Sequence, residues 1–108
     1  MIVLKKIDSK FVEKTIPPGG TEAFFDLDLS RYNSFDWEIK ILSGGQRGVT
    51  KVSSLFNDDI MESTAYAFLG KRFNSVTNIF VASVDRCKLE ITNNESTSIQ
   101  CSVKLKTF

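Results

Sequence analysis

Few residues of this chain are of a type and spacing suited to catalysis or metal binding. Its 108 residues include no histidine, which removes Ser-His-Asp and Cys-His mechanisms and the commonest general base and metal ligand. The glycine-rich residues 43–48 lack the Lys-Ser/Thr that ends a phosphate-binding loop, and we interpret them as a hairpin loop. We therefore expect no catalytic residue, no cofactor, no metal ion and no enzymatic activity.

Carboxylate pairs are the remaining candidates for acid chemistry, because paired acids can act without histidine. Asp26 and Asp28 alternate along a predicted strand, about 7 Å apart by strand rise. Asp58 and Asp59 adjoin in a predicted turn. Either pair offers oxygen ligands for a calcium ion, but the second lacks the spaced D-x-D-x-D loop and its distal Glu. We favour a solvated sheet face for the first pair and Asx turns for the second.

Two cysteines, Cys87 and Cys101, fall on apolar-facing positions of two strands that are predicted to be neighbours. The chain has no C-x-x-C pair and no histidine to complete a mixed zinc site. We favour two buried free thiols. A disulfide between the neighbouring strands is the alternative.

The candidate binding surface consists of three aromatic and two basic residues outside the predicted core. Tyr32 and Tyr66 are candidates for a wet aromatic contact, and Phe73 adjoins the densest basic pair, Lys71 and Arg72. An exposed turn explains the same basic pair as well as a ligand does. A net charge of +1, without a basic stripe or a basic amphipathic helix, predicts neither a nucleic-acid partner nor a membrane partner.

β-Strands must position these residues, because apolar residues alternate with period two along much of the chain. The only tryptophan shares its row with other apolar residues, which predicts a core position rather than a sugar-binding platform. The last two rows are interpreted as an antiparallel hairpin around the polar residues 93–98. The four clearest rows are Ala23, Phe25, Leu27 and Leu29; Phe35, Trp37, Ile39 and Ile41; Cys87, Leu89 and Ile91; and Ile99, Cys101, Val103 and Leu105.

The other strand candidates are less regular. Residues 2–7 and 11–16 flank a turn signal at Asp8-Ser9, and residues 49–56 mix periods as a bulged strand does. Residues 64–69 suit a short strand, and residues 58–66 have room for one helical turn. Residues 78–84 form an apolar run typical of a strand that is covered on both faces.

Turn signals recur along the chain at intervals of roughly 8 to 14 residues, with short strands between them. This spacing predicts an all-β fold. We expect an antiparallel β-sandwich, jelly-roll or immunoglobulin-like, with about eight strands.

One domain is expected over residues 1–108, since no linker or internal repeat divides the chain. Residues 1–14 are interpreted either as an edge strand or as an N-terminal arm that adds a strand to a neighbouring subunit. The apolar run after Met1 is short for a signal peptide, and no segment approaches the ~20 apolar residues that cross a bilayer. These features predict synthesis in a cytoplasm.

Several short motifs follow one another along residues 15–108. A Pro/Gly turn at residues 17–20 precedes the first core strand, and FDWEIKI at residues 35–41 is centred near Trp37. Tyr-x-x-Leu-Gly at residues 66–70, LEITN at residues 89–93 and a final alternating strand follow. This order resembles small β-sandwich proteins of tailed bacteriophages, found in tails, necks and fibres. The resemblance implies assembly into rings or trimers, or decoration of a particle, and it supplies no catalytic residues.

The leading hypothesis is therefore a non-enzymatic structural or assembly protein of a phage virion, made in the host cytoplasm. It would act through self-association and through contacts with other virion proteins. The alternative is a β-sandwich module that binds a carbohydrate or a receptor. A small enzyme that uses carboxylates alone is the third hypothesis.

Overall fold

The computed structural model describes residues 8–57, 60–73, 75–83 and 85–107, with the backbone alone for residues 8, 9, 77 and 79–83. All strand pairs among these residues are antiparallel, so the all-β prediction is confirmed. None of the described residues belongs to a helix long and apolar enough to cross a membrane. The strands are β1 (Asp8–Ile16), β2 (Thr21–Asp28), β3 (Ser34–Ser43), β4 (Gln46–Asn57), β5 (Ile60–Gly70), β6 (Val76–Ser83), β7 (Arg86–Asn93) and β8 (Ile99–Thr107).

Two sheets form the sandwich, one of five strands in the order β1-β8-β3-β4-β5 and one of three strands in the order β2-β7-β6. Strands β3, β4 and β5 form a meander, and β8 returns to lie beside β3, which is a Greek-key order. The edges of the larger sheet are β1 and β5. The predicted antiparallel β-sandwich is thereby confirmed.

The core lies between the two sheets, and all four predicted rows contribute to it. Trp37 is 1% exposed, and its ring centroid lies 6.2 Å from that of Phe35. The prediction that the only tryptophan is a core residue is confirmed. Each large apolar side chain buried here contributes about 1.5–3 kcal/mol. The buried apolar residues are Ile16, Phe24, Leu27, Leu29, Phe35, Trp37, Ile39, Val52, Cys87, Leu89, Ile91, Ile99, Cys101, Val103 and Leu105.

The row predicted around β2 is confirmed at Leu27 and Leu29 and wrong at Ala23, because a β-bulge interrupts its alternation. The register with β7 shifts between Phe24 and Leu27, so Phe24 is buried while Ala23 is exposed. Phe25 has a φ of 60°, in the left-handed region, which costs a non-glycine residue about 1–2 kcal/mol. Its ring lies 6.1 Å from that of Trp37, so packing against the core accompanies the strained backbone.

The predicted hairpin of the last two rows is also wrong, because β7 and β8 lie in different sheets. β7 pairs with β2 and β6, whereas β8 pairs with β1 and β3. Residues 94–98 are therefore a crossover between the sheets. Cys87 and Cys101 accordingly belong to opposite sheets, and both are buried free thiols, as favoured from the sequence. Burial raises the pKa of Cys87, and it raises the pKa of Cys101 to about 12.

Strand β5 is longer than predicted, and the helical turn proposed within residues 58–66 is wrong from Ile60 onward. Nearly every position of β5 is exposed, so its sequence lacks the alternation that reveals a half-buried strand. The register with β4 shifts at Tyr66, which is the extra residue of a bulge in β5. The bulge predicted in residues 49–56 thus lies on the partner strand. Asp58 and Asp59 fall outside the described residues.

Two predicted turns are tight and a third is absent. The Gly20 N–H donates to the Pro17 carbonyl oxygen (2.9 Å), and the φ of 78° at Gly19 suits the third position of a type II turn. The β3–β4 turn at residues 43–46 has two central glycines with φ of 56° and 78°, as in a type I′ hairpin turn. The turn predicted at residues 8 and 9 is wrong, since both belong to β1.

Asn93 ties three parts of the chain together at the end of β7. Its side chain is fully buried, and Nδ2 donates to the carbonyl oxygens of Ile16 (2.9 Å) and Thr97 (3.0 Å). Its Oδ1 accepts from the Glu95 N–H (2.8 Å), and its own N–H donates to the Gly20 carbonyl oxygen (2.9 Å). These bonds hold the crossover against the ends of β1 and β2.

Candidate functional site

A cavity of about 390 Å³ lies between the sheets, on the side where the five-stranded sheet extends beyond the three-stranded one. Strands β3, β4 and β5 contribute one wall, β6 and β7 contribute the other, and residues 71–73 lie at the mouth. The volume falls within the range of small-molecule pockets. Aliphatic side chains form much of its lining, among them Ile39, Ile41, Val52, Val76 and Ile91.

The cavity mouth carries two cations, each held over an aromatic ring. The Arg72 guanidinium lies 4.4 Å from the Phe68 ring centroid, and the Lys71 Nζ lies 5.4 Å from the Phe73 ring centroid. Both distances are within the range of favourable cation–π attraction. The rings therefore restrain both side chains at the mouth, although Lys71 and Arg72 are exposed to solvent.

The backbone around the mouth is fixed by close contact between β4 and the end of β5. The Lys71 N–H donates to the Arg47 carbonyl oxygen (2.9 Å). A Cβ at Gly48 would overlap the Lys71 carbonyl oxygen, and a Cβ at Gly70, where φ is 79°, would overlap the Arg47 carbonyl oxygen. The two glycines thus allow the backbones of β4 and of residues 70–71 to approach closely, which places residues 71–73 beside the cavity.

The electrostatics of the mouth are positive. The ion pairs of the described residues lie elsewhere, and none of them includes Lys71 or Arg72. Apart from these cations, the polar side chains that line the cavity are Thr50 and Asn78. The arrangement offers an anion two positive charges at the opening and offers an apolar group the aliphatic interior.

The candidate binding surface predicted from the sequence divides into separate places. Lys71, Arg72 and Phe73 come together at the mouth, but Tyr32 precedes Ser34 at the opposite end of β3. The mouth adjoins Ile41, seven residues further along β3, which is about 23 Å at ~3.3 Å per residue. Tyr32 is half-buried and packs against the core.

Sequence reasoning missed the residues that complete the mouth and its interior. Phe68 faces the cavity because the bulge at Tyr66 resets the alternation of β5, and no local pattern signals this. Val76 and Ile91 join the lining only through the packing of the two sheets. The one usable signal was the basic pair next to Phe73.

The fold is similar to a solved structure, although its sequence matches no known family. No protein-family model matches this chain, and no curated protein matches it. The crystal structure of the Acinetobacter baumannii phage AM24 tailspike protein is similar over 94% of this chain, with a TM-score of 0.58 and 11% sequence identity. The fold resembles part of a phage tailspike. The chain spans 26% of the length of that tailspike chain, and the likeness concerns the fold.

Tyr66 lines a shallow groove on the outer face of the larger sheet. The ring is 56% exposed, and the groove of about 120 Å³ is shared with charged side chains of β3, β4 and β8. Both signs are present, so the groove has no dominant charge. These charged residues are Asp36, Glu38, Lys51, Lys104 and Lys106.

The exposed large apolar side chains of the described residues are concentrated on β4 and β5. Phe11, on β1, is the exception at 62% exposed. Nearly every position of the edge strand β5 is exposed, so residues on both of its faces meet solvent. The large apolar side chains exposed on β4 and β5 are Leu55, Ile60, Tyr66, Phe68 and Leu69.

The predicted acid pair in β2 is engaged by two different partners. Asp26 is bound by the Arg86 guanidinium (2.9 Å), and its hydrogen bond with Arg86 holds the pKa of the Asp26 carboxyl below its ordinary value. Asp28 Oδ1 accepts from the hydroxyl (2.6 Å) and N–H (3.0 Å) of Ser30, which lower the Asp28 pKa. Among the described residues, no three or more Cys, Asp or Glu side chains are grouped to hold a metal ion.

Proposed function

We propose that this chain is a non-enzymatic structural module of a tailed-phage virion that works through protein–protein contacts. The observation that carries the proposal is the likeness to a tailspike, which covers 94% of this chain and a quarter-length segment of the tailspike. A segment of that extent suits a module that is repeated or joined to others in a larger particle. The module would be made in the host cytoplasm and would reside in the virion.

The β5 edge is the surface that we propose for self-association. Edge strands expose backbone donors and acceptors, and proteins that avoid pairing place charges along them. β1 follows that rule, with four charged residues in nine, whereas β5 carries only Glu62 in eleven. β5 also bears the largest share of the exposed apolar side chains. The contrast between the two edges of one sheet favours β5 as the joint.

A second copy of this chain fits the β5 edge in an antiparallel arrangement. Pairing of two β5 strands centred near Ala65 sets the two Glu62 carboxylates six residues apart, or about 20 Å. A parallel, in-register pair would set them directly opposite, which is destabilising. The antiparallel pair is isologous and closed, and it would join two five-stranded sheets into one.

Light scattering at several protein concentrations tests this proposal with a matched pair of variants. Tyr66→Lys introduces a charge on the β5 edge, and Phe11→Lys introduces the same charge at a similarly exposed aromatic on the β1 edge. We expect wild type and Phe11→Lys to gain mass with concentration and Tyr66→Lys to remain a monomer. A wild-type chain that stays monomeric at millimolar concentration, or equal effects of the two variants, would contradict the proposal.

Carbohydrate binding is the second candidate function, and the groove around Tyr66 favours it. An exposed tyrosine ring beside carboxylates and ammonium groups offers a stacking face together with hydrogen-bonding partners. A glycan array tests this candidate with Tyr66→Ala, and with Tyr32→Ala as the control, because Tyr32 does not line the groove. Loss of glycan signal in the first variant alone would support carbohydrate binding, and absence of signal for wild type would remove it.

A further inference from the structure

The cavity between the sheets has the form of a ligand site that the assembly role does not require. Its interior is aliphatic, its mouth is cationic, and it opens beside β5 rather than on the outer face of the sheet. We propose that it binds a small amphipathic carboxylate, whose hydrocarbon body enters the cavity while its carboxylate meets Lys71 and Arg72. This binding is a role distinct from the proposed self-association.

The size of the cavity limits the length of the hydrocarbon. At ~30 Å³ for a group the size of a water molecule, about 390 Å³ holds on the order of a dozen such groups. An eight-carbon carboxylate fits within that limit and leaves its head group at the opening. A chain much longer would project past residues 71–73 into solvent.

The lining selects hydrocarbon over sugar. Thr50 and Asn78 are the uncharged polar side chains of the lining, while Ile39, Val52 and Ile91 represent its aliphatic majority. A saccharide brings hydroxyl groups that each need a hydrogen-bond partner when buried, and an unpaired one costs about 1–3 kcal/mol. Aliphatic carbons meet no such penalty in this interior.

The mouth selects an anion. A guanidinium binds a carboxylate through two parallel hydrogen bonds, and a neighbouring ammonium adds a second charge. The ring contacts at 4.4 Å and 5.4 Å restrain both side chains before a ligand arrives, which lowers the entropy lost on binding. The ion pairs of the described residues leave both cations available.

Isothermal titration with sodium octanoate tests the proposal, with acetate and 1-octanol as ligands that carry the charge alone and the chain alone. We expect octanoate to bind at least tenfold more tightly than either. Lys71→Gln/Arg72→Gln should weaken octanoate binding at least tenfold. Lys104→Gln/Lys106→Gln, which removes two cations from the outer face, should leave it unchanged.

A cavity-filling variant gives a second route to the same question. Val76→Phe adds a ring to the half-buried wall of the cavity, and it should abolish octanoate binding while thermal melting reports that the variant is folded. Three results would overturn the proposal. These are no saturable heat with octanoate, equal losses in the two double-glutamine variants, and tighter binding of glucuronate than of octanoate.

Discussion

Replacement of Asn93 by alanine removes a buried amide that links both sheets to the crossover between them. The amide makes three side-chain hydrogen bonds, of which the one to the Ile16 carbonyl oxygen is fully buried. The bonds to Thr97 and Glu95 are partly buried. The cost of the substitution therefore differs from bond to bond.

The expected loss of unfolding free energy is about 3 kcal/mol. The buried Ile16 carbonyl loses its side-chain donor in a site closed to water, which costs about 1–3 kcal/mol. The other two bonds are open enough for water to replace the amide, and each costs about 0.5–1 kcal/mol. A loss of this size is a large fraction of the ~5–15 kcal/mol that stabilises a typical domain.

Urea unfolding followed by circular dichroism measures this loss. With an m-value of ~1.5 kcal/mol/M, the midpoint should fall by about 2 M, and the slope should stay constant. Asn94→Ala is the matched control, because Asn94 is exposed and bonds through its backbone N–H to Ser75. The control should change stability by less than ~0.5 kcal/mol. Equal midpoints for the two variants would refute the role assigned to the Asn93 amide.

Three further perturbations test other parts of the fold. Burial raises the pKa of Cys101 to about 12, so the Cys101 thiol should not react with a thiol reagent at pH 8 in the native protein. The same thiol should react once urea unfolds the chain. Gly70→Ala should destabilise the fold more than Gly44→Ala in thermal melts, because both φ values are left-handed but only Gly70 lies against backbone. The hydrogen bond with Arg86 lowers the pKa of Asp26, so this interaction stabilises the fold above pH 3.8, and its contribution is lost as the pH falls below that value. Arg86→Gln should therefore reduce the loss of unfolding free energy on acidification through that range.

Much of the core could be predicted from the sequence, because a half-buried strand records its two faces in its alternation. Phe35, Trp37 and Ile39 alternate with charged residues, and the structure buries all three. The same rule fails next to Phe25, because its left-handed backbone belongs to a bulge that buries Phe24 in place of Ala23. Backbone strain of this kind leaves no mark on the pattern of apolar residues.

Strand β5 and the cavity show a different limit of sequence patterns. A strand with both faces exposed has no reason to alternate, so β5 is invisible to a period-two search until its pairing with β4 is known. The cations at the mouth could be picked out as a basic pair beside Phe73. The interior of the cavity could not be predicted, because Val76 and Ile91 contact the other lining residues only through tertiary packing.

Self-association and carboxylate binding share part of β5, since Phe68 and Leu69 also line the cavity, but they can fail separately. Self-association depends on the outer side of β5, where Tyr66 lies outside the cavity lining. Carboxylate binding depends on Lys71 and Arg72 at the end of that strand. A Tyr66→Lys chain that is monomeric should therefore still bind octanoate.

Amide hydrogen exchange at two protein concentrations tests self-association through the β5 edge. Backbone amides that point away from β4 at the edge exchange rapidly in a monomer and slowly when a second strand pairs with them. Protection of residues 60–70 should rise with concentration, while that of the β1 edge, residues 8–16, should stay constant. Protection that is independent of concentration, or that rises at β1 instead, would contradict self-association through β5.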